Sequence, residues 1–208
     1  MRRIIGASVK RFLLIAPLAL AVVASGAVAP HAAADVRVLV RTSLGEIEID
    51  VHAARAPATS ANFLRYVDAG HYDRGRFHRT VTLANQPDNA IKIEVIQVGV
   101  SPDRAKDRFP PIALERTSRT GLRHLDGTVS MARSGPDTAM SDFFICINDQ
   151  PSLDFGGARN ADGQGFAAFG RVVRGMEIVR RIQAAPNTDA QRLTPPIGIV
   201  QIRRIPVN

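Results

Sequence analysis

The chain has 208 residues, with 27 Lys and Arg against 19 Asp and Glu and a net charge of +8. Its single cysteine, Cys146, excludes an intramolecular disulfide framework. No basic run interleaved with aromatics occurs in the body of the chain, so composition gives no support to nucleic-acid binding.

At the start, Arg2, Arg3, Lys10 and Arg11 accompany an almost wholly apolar stretch from Phe12 to Ala24, and Ala32-Ala33-Ala34 puts small residues at the −3 and −1 positions before Asp35. This layout predicts a secretory signal peptide over residues 1–34 and a mature chain that is periplasmic or secreted. The apolar stretch falls short of the roughly 20 residues of a membrane span and is interrupted by Pro17. No stable span is therefore expected after cleavage, and an uncleaved anchor is the alternative. The four basic residues of the leader account for half of the net charge, leaving +4 on residues 35–208, the balance of an ordinary solvated surface. That stretch is one domain's worth of chain and can bury a core without staples.

Val36, Val38 and Val40 alternate with Arg37, Leu39 and Arg41, Ser43-Leu44-Gly45 supplies a turn, and Glu46–Val51 alternates again, which predicts an antiparallel hairpin. Residues 57–69 predict a helix with Ala58, Ala61, Phe63, Leu64 and Val67 on its apolar face and Gly70 as its stop. Strands are expected over residues 76–82, 91–98, 128–132, 143–147, 167–173 and 197–205. A second helix is expected over residues 176–184, with Met176, Val179 and Ile182 at helical spacing and Pro186 beyond its end. Many short strands, two helices and frequent Gly and Pro predict an all-β-dominated antiparallel barrel rather than a layered α/β sheet. Two long loops, residues 83–90 and 154–165, stand out as functional or variable. Cys146 lies in the apolar run Phe143–Ile147 and reads as a buried structural thiol.

The chemistry is concentrated in Phe77-His78-Arg79, in Met131-Ala132-Arg133-Ser134-Gly135-Pro136-Asp137-Thr138 and in Ser141-Asp142-Phe143-Phe144-Ile145-Cys146. These segments offer an arginine and an apolar aromatic pocket without an evident nucleophile, metal cage or phosphate loop. Ser141, His78 and Asp142 lack the Gly-x-Ser-x-Gly turn of a hydrolase. His52, His71 and His124 show no metal-ligand spacing, and the glycines near Gly156 and Gly163 lack the strand-loop-helix setting of a phosphate site. Such a set suits a reaction that makes and breaks no covalent bond. Rotation about an X-Pro peptide bond is one, and a fixed charged donor aimed at the prolyl nitrogen would favour its twisted transition state.

Together the three segments resemble the cyclophilin-type peptidyl-prolyl cis-trans isomerases, in particular the bacterial secreted or periplasmic type. The resemblance implies a closed eight-stranded antiparallel β-barrel capped by two α-helices over residues 35–208. It implies Arg79 as the catalytic arginine, Gln97 as the glutamine that helps hold it, and Phe144 as the floor of a proline pocket, with Phe143 in the core. Leu153 and Phe166 match the remaining pocket walls, and Val95, Ala132, Arg133 and Asp142 join them as substrate-binding positions. Val95 replaces the bulkier residue usual in the family, Arg133 an asparagine and Asp142 a glutamine. An Arg133–Asp142 pair across the cleft or altered substrate-backbone contacts would follow, while Glu94 is expected to be solvated. His78 is expected to be a packed residue rather than a general base. The implied partners are proline-containing polypeptides met during the folding of exported proteins, with no cofactor, no metal and a monomeric chain. The alternative is a cyclophilin-like module that binds proline peptides or acts as a chaperone with little isomerase activity.

Overall fold

The computed structural model describes residues 35–188 and 191–206. The expected leader, residues 1–34, lies outside the described residues. Eight strands appear in chain order: β1 Val36–Thr42, β2 Gly45–Val51, β3 Arg76–Val81, β4 Val95–Gly99, β5 Thr128–Met131, β6 Phe143–Cys146, β7 Ala167–Arg174 and β8 Arg192–Ile205. They close into a barrel in the order β1-β2-β7-β5-β6-β4-β3-β8. Every pairing is antiparallel, so each strand places alternate side chains inside and outside. Helices α1 Pro57–Asp68 and α3 Met176–Gln183 are those expected, and a single turn, α2 Thr117–Thr120, adds a third.

The hairpin of β1 and β2 turns at Gly45, whose φ is +141° and where a Cβ would come within 2.7 Å of Ile178 on α3. The turn residue thus fixes both the hairpin and the seat of a helix. Inside the barrel, Val38, Val40, Ile47, Ile49 and Val51 from this hairpin meet Phe77, Ile96, Val98, Phe143, Ile145 and Phe169, all at or near zero exposure. Helix α1 adds Phe63, which packs edge-on against Phe143 at 5.2 Å and lies 5.0 Å from Phe169. Such aromatic pairs contribute about 0.5–1.5 kcal/mol beyond the area they bury.

The apolar face of α1 differs from the expectation. Ala58 and Ala61 are exposed, whereas Thr59, Ser60, Asn62 and Tyr66 are buried. Polar partners explain the burial of Thr59, Asn62 and Tyr66, whereas the buried Ser60 hydroxyl has no hydrogen-bond partner. The Glu115 carboxylate accepts from the Ala58 and Thr59 amides at 3.1 and 2.7 Å and from the Thr59 hydroxyl, while Asn62 Nδ2 donates to the Met140 carbonyl at 2.6 Å. A helix start without a side-chain cap of its own is thereby capped from a distant loop.

β4 begins at Val95, later than expected, because Gln86 takes the backbone that a longer strand would use. Its Nε2 donates to the Thr82 and Ile93 carbonyls, both at 2.7 Å, and its Oε1 accepts from the Ile93 amide. β8 starts earlier than expected, at Arg192, and includes Pro195 and Pro196. Two prolines in succession remove ladder donors and hide a strand from pattern reading.

Candidate active site

The site lies on the outside of the barrel, where β3, β4 and β6 run side by side. Their register sets Arg79 opposite Gln97, and Gln97 opposite Phe144. One step along, Val81, Val95 and Cys146 form a parallel row. Alternation therefore puts both rows on one face and sends Phe143 and Ile145 inward. Phe144, Val95, Val81, Cys146, Ile93 and Leu153 form a small apolar cluster separate from the main core, with Ala132 and Phe166 against it. Cys146 is fully buried there, and burial pushes its thiol well above the ordinary value, as an inert structural cysteine requires.

This cluster lines a cavity of about 270 Å³. Ile93, Val95, Phe144, Leu153 and Phe166 supply its apolar surface, Arg79 and Gln97 one polar edge, Ala132 and Arg133 a wall, and Arg159 and Asn160 part of the rim. The volume lies just below the range of about 300–1,000 Å³ that holds drug-sized ligands, and it suits one apolar side chain. Phe166 stands edge-on to Phe144 at 5.3 Å, and His124 stacks beside Phe144 at 6.0 Å. His124 is in turn fixed by Asp154 Oδ1 at 2.7 Å from Nδ1 and by Ser130 Oγ at 3.0 Å from Nε2. Burial alone would raise the Asp154 carboxyl, but hydrogen bonds from the His124 ring and amide hold it below the usual carboxylate range. The floor of the cavity thus rests on a hydrogen-bonded Asp-His-Ser row.

Arg79 is clamped. Its Nη1 donates to Gln97 Oε1 at 3.1 Å, and its Nε and Nη2 both donate to Gln191 Oε1 at 3.0 and 2.6 Å. Gln191 in turn donates from Nε2 to the Asn85 carbonyl at 3.1 Å. Burial, and then the charge of Arg159, lower the Arg79 guanidinium from its ordinary value. A guanidinium stays protonated throughout the physiological range, so the site carries a fixed, half-buried cation at the edge of an apolar cavity.

The structure brings together Arg79, Gln97, Val95, Phe144, Leu153, Phe166, Ala132 and Arg133. It sets Asp142 apart, in a neighbouring cavity of about 180 Å³ that shares Gln97, Ala132 and Arg133 with the first. The expected Arg133–Asp142 pair does not form. Arg133 donates to Asp162 from Nη1 and Nη2 at 2.7 and 2.9 Å and to the Gly165 carbonyl from Nε at 2.7 Å, with Cζ 4.9 Å from the Phe166 ring. Hydrogen bonds from Arg133 bring the Asp162 carboxyl down to about 2. A planar fork is satisfied best by a bidentate carboxylate, and the loop of residues 154–165 supplies it. Asp142 instead lies 4.0 Å from His78 and accepts from the Ser141 hydroxyl at 3.1 Å. Nor is Glu94 simply solvated, because Asn148 and Gln183 donate to its carboxylate at 2.8 and 3.2 Å. Sequence reasoning missed Gln191, a lone glutamine in a loop, and His124, one of several scattered histidines; nothing in their sequence surroundings marks either.

The class so defined is a closed antiparallel barrel that holds a clamped arginine beside an apolar cleft on its outer face. Solved structures share the fold. The barrel is similar to a cyclophilin type peptidyl-prolyl cis-trans isomerase of Cryptosporidium parvum, with a TM-score of 0.64 and 20% identity over 84% of this chain and 100% of that one. A second structure of that protein, obtained in the presence of the dipeptide Ala-Pro, gives a TM-score of 0.62. In sequence, residues 37–204 match the family described as cyclophilin type peptidyl-prolyl cis-trans isomerase/CLD. Relatives include a peptidyl-prolyl cis-trans isomerase of Acinetobacter baylyi, 33% identical with 77% of this chain and 79% of that one covered. Peptidyl-prolyl cis-trans isomerase A of Dickeya dadantii is 39% identical, with 70% of each chain covered. The chain belongs to the cyclophilin-type peptidyl-prolyl cis-trans isomerases.

Proposed function

We propose that this protein catalyses cis-trans rotation about X-Pro bonds in polypeptides, with Arg79 as the catalytic group and Phe144 as the floor of the proline pocket. The supporting observation is the Arg79 guanidinium held by Gln97 and Gln191 at the edge of an apolar cavity of about 270 Å³. The planar amide resists rotation with a barrier of about 18–20 kcal/mol. Twisting it returns lone-pair density to the prolyl nitrogen. A donor fixed beside that nitrogen gains strength only in the twisted state, the condition for catalysis. Acceleration by roughly 10⁵ needs about 7 kcal/mol. A charged donor, a dry pocket for the ring and a positioned peptide backbone can supply it without proton transfer. His78 accordingly has no acid-base task. Burial lowers its pKa, and it stands outside the lining of the proline cavity.

The substrates in this reading are exported proteins, folding after passage through the membrane. The charge and hydropathy pattern of residues 1–34 supports that assignment, and among the described residues no helix is long and apolar enough to cross a membrane. The catalytic assignment is tested by a protease-coupled assay on an Ala-Pro peptide. Arg79→Ala is expected to lower kcat/KM by roughly 10²–10³, the usual loss of a transition-state donor. Equal turnover by the wild type and this variant would remove the reading. Export is tested by mass spectrometry of the protein expressed with its leader, the expected mature N-terminus being Asp35.

A further inference from the structure

Three arginines line the proline cavity, and they differ in what their donors do. Arg79 gives Nε, Nη1 and Nη2 to Gln97 and Gln191. Arg133 gives the same three atoms to Asp162 and Gly165. The Arg159 guanidinium makes one hydrogen bond among the described residues, from Nη1 to the Ile91 carbonyl at 2.6 Å. Acids do lie nearby, but Asp162 is taken by Arg133, and Asp154 by Arg123 and His124. Arg159 pairs with no carboxylate among the described residues. It is half-buried, it stands on the rim of the cavity, and its charge reaches Arg79. A guanidinium has five N–H donors in a fork matched to a carboxylate. Most of those of Arg159 are unspent, and the tie to Ile91 fixes where they stand. A polypeptide whose proline entered this cavity would have its flanking residues at the rim to which Arg159 belongs.

We propose that Arg159 is a specificity-determining residue that selects X-Pro segments with a carboxylate next to the proline. The proposal rests on the isomerase reading above and adds the substrate class to it. The loop of residues 154–165 then has a definite task. Arg133 and Asp162 anchor it to the barrel wall, and Arg159 presents a free cation from it.

The test compares one series of peptides, Ala-Ala-Pro-Ala, Ala-Glu-Pro-Ala, Ala-Ala-Pro-Glu and their Lys counterparts. Turnover is read by exchange NMR between cis and trans signals, which avoids any preference of a coupling protease. In the wild type, at least one Glu peptide is expected to exceed the neutral peptide in kcat/KM by up to about fivefold, the scale of a partly screened ion pair. The position of that Glu reports which flank Arg159 meets. The ratio should shrink as NaCl is raised from about 0.05 to 0.5 M, because the Debye length falls severalfold over such a range. Within Arg159→Gln the Glu-to-neutral ratio is expected to fall to about one, and within Arg159→Glu the Lys peptide should be favoured. Ratios taken inside each variant are insensitive to a general loss of activity. Equal turnover of neutral and Glu peptides by the wild type, or an unchanged ratio in Arg159→Glu, overturns the proposal and leaves the isomerase reading intact. A uniform loss across all peptides in Arg159→Gln would make the residue a loop tie through Ile91 and overturn it too. Absence of turnover on every peptide removes the isomerase reading and this proposal with it.

Discussion

Phe143 and Phe144 are adjacent on β6, and both are almost without solvent exposure. They serve two different apolar bodies. Phe143 sits inside the barrel among Phe63, Tyr72 and the aliphatic residues of the paired strands, in the main core. Phe144 sits outside, on a small cluster roofed by loops, with one side open to a cavity. The same strand therefore carries the main core on one face and the candidate site on the other. The inner body is made by strand and helix residues meeting one another. The outer one depends on two loops, residues 83–94 and 154–165, held in place by polar side chains: Gln86, Arg133 and His124.

The contrast is broken or sustained most strongly at the two phenylalanines. Phe143→Ala should destabilise the fold by about 3–5 kcal/mol, the cost of emptying a closed aromatic site. Urea unfolding would show this as a fall in midpoint without a matching change in slope. Phe144→Ala should cost about 2 kcal/mol, close to the transfer term alone, since its void joins an existing cavity. It should lower kcat/KM at least tenfold through KM, as the proline ring loses its floor. Equal stability losses for the two variants would mean that the outer cluster is part of the core.

Both bodies were legible in the sequence to different depths. The hairpin, α1, α3 and most strands follow from alternation, helical spacing and the Gly and Pro that punctuate them. Strand parity separates Phe144 from Phe143, while the grouping of Arg79, Gln97 and Phe144 comes from the resemblance to a family. The loops were not legible, because their form depends on single polar side chains satisfying distant backbone. Gln86 shortens β4, Glu115 caps α1 from afar, and Asp162 draws Arg133 away from Asp142. Gln191 is the clearest case. Its carbonyl receives two donors from a guanidinium 112 residues earlier in the chain, and no local pattern encodes that meeting.

Gln191 gives the next smaller effect. Hydrogen bonds to charged groups contribute about 1.5–3 kcal/mol, and the two it accepts keep the Arg79 fork aimed along the cleft edge. In Gln191→Ala the arginine remains, held by Gln97 alone. We expect kcat/KM to fall about tenfold, mainly in kcat, with about 1.5 kcal/mol lost in stability, the low end of that range because water can reach the half-buried guanidinium. A loss confined to KM would show that Gln191 shapes binding and not the orientation of Arg79.

The smallest effect is expected at His78, which shares β3 with Arg79 but turns to a different neighbour. Burial lowers its pKa from the ordinary 6.5, while the Asp142 carboxylate pulls in the opposite direction. Because the folded value lies below the unfolded one, the unfolded chain binds the proton more readily in mildly acid solution. Stability attributable to this group is therefore complete above about pH 6.5, is lost as the pH falls toward the folded pKa, and changes no further below it. The ring is about one-third exposed, so the loss is small. Replacing Asp142 by asparagine removes the charge that favours the imidazolium, and burial then acts with less opposition. The His78 ring resonances of Asp142→Asn should titrate at lower pH than in the wild type, and acid unfolding should steepen just below pH 6.5. A titration that moved upward, or not at all, would mean that the 4.0 Å approach of the two side chains carries no charge interaction. Asp142 would then be tied to the site only through the second cavity it lines.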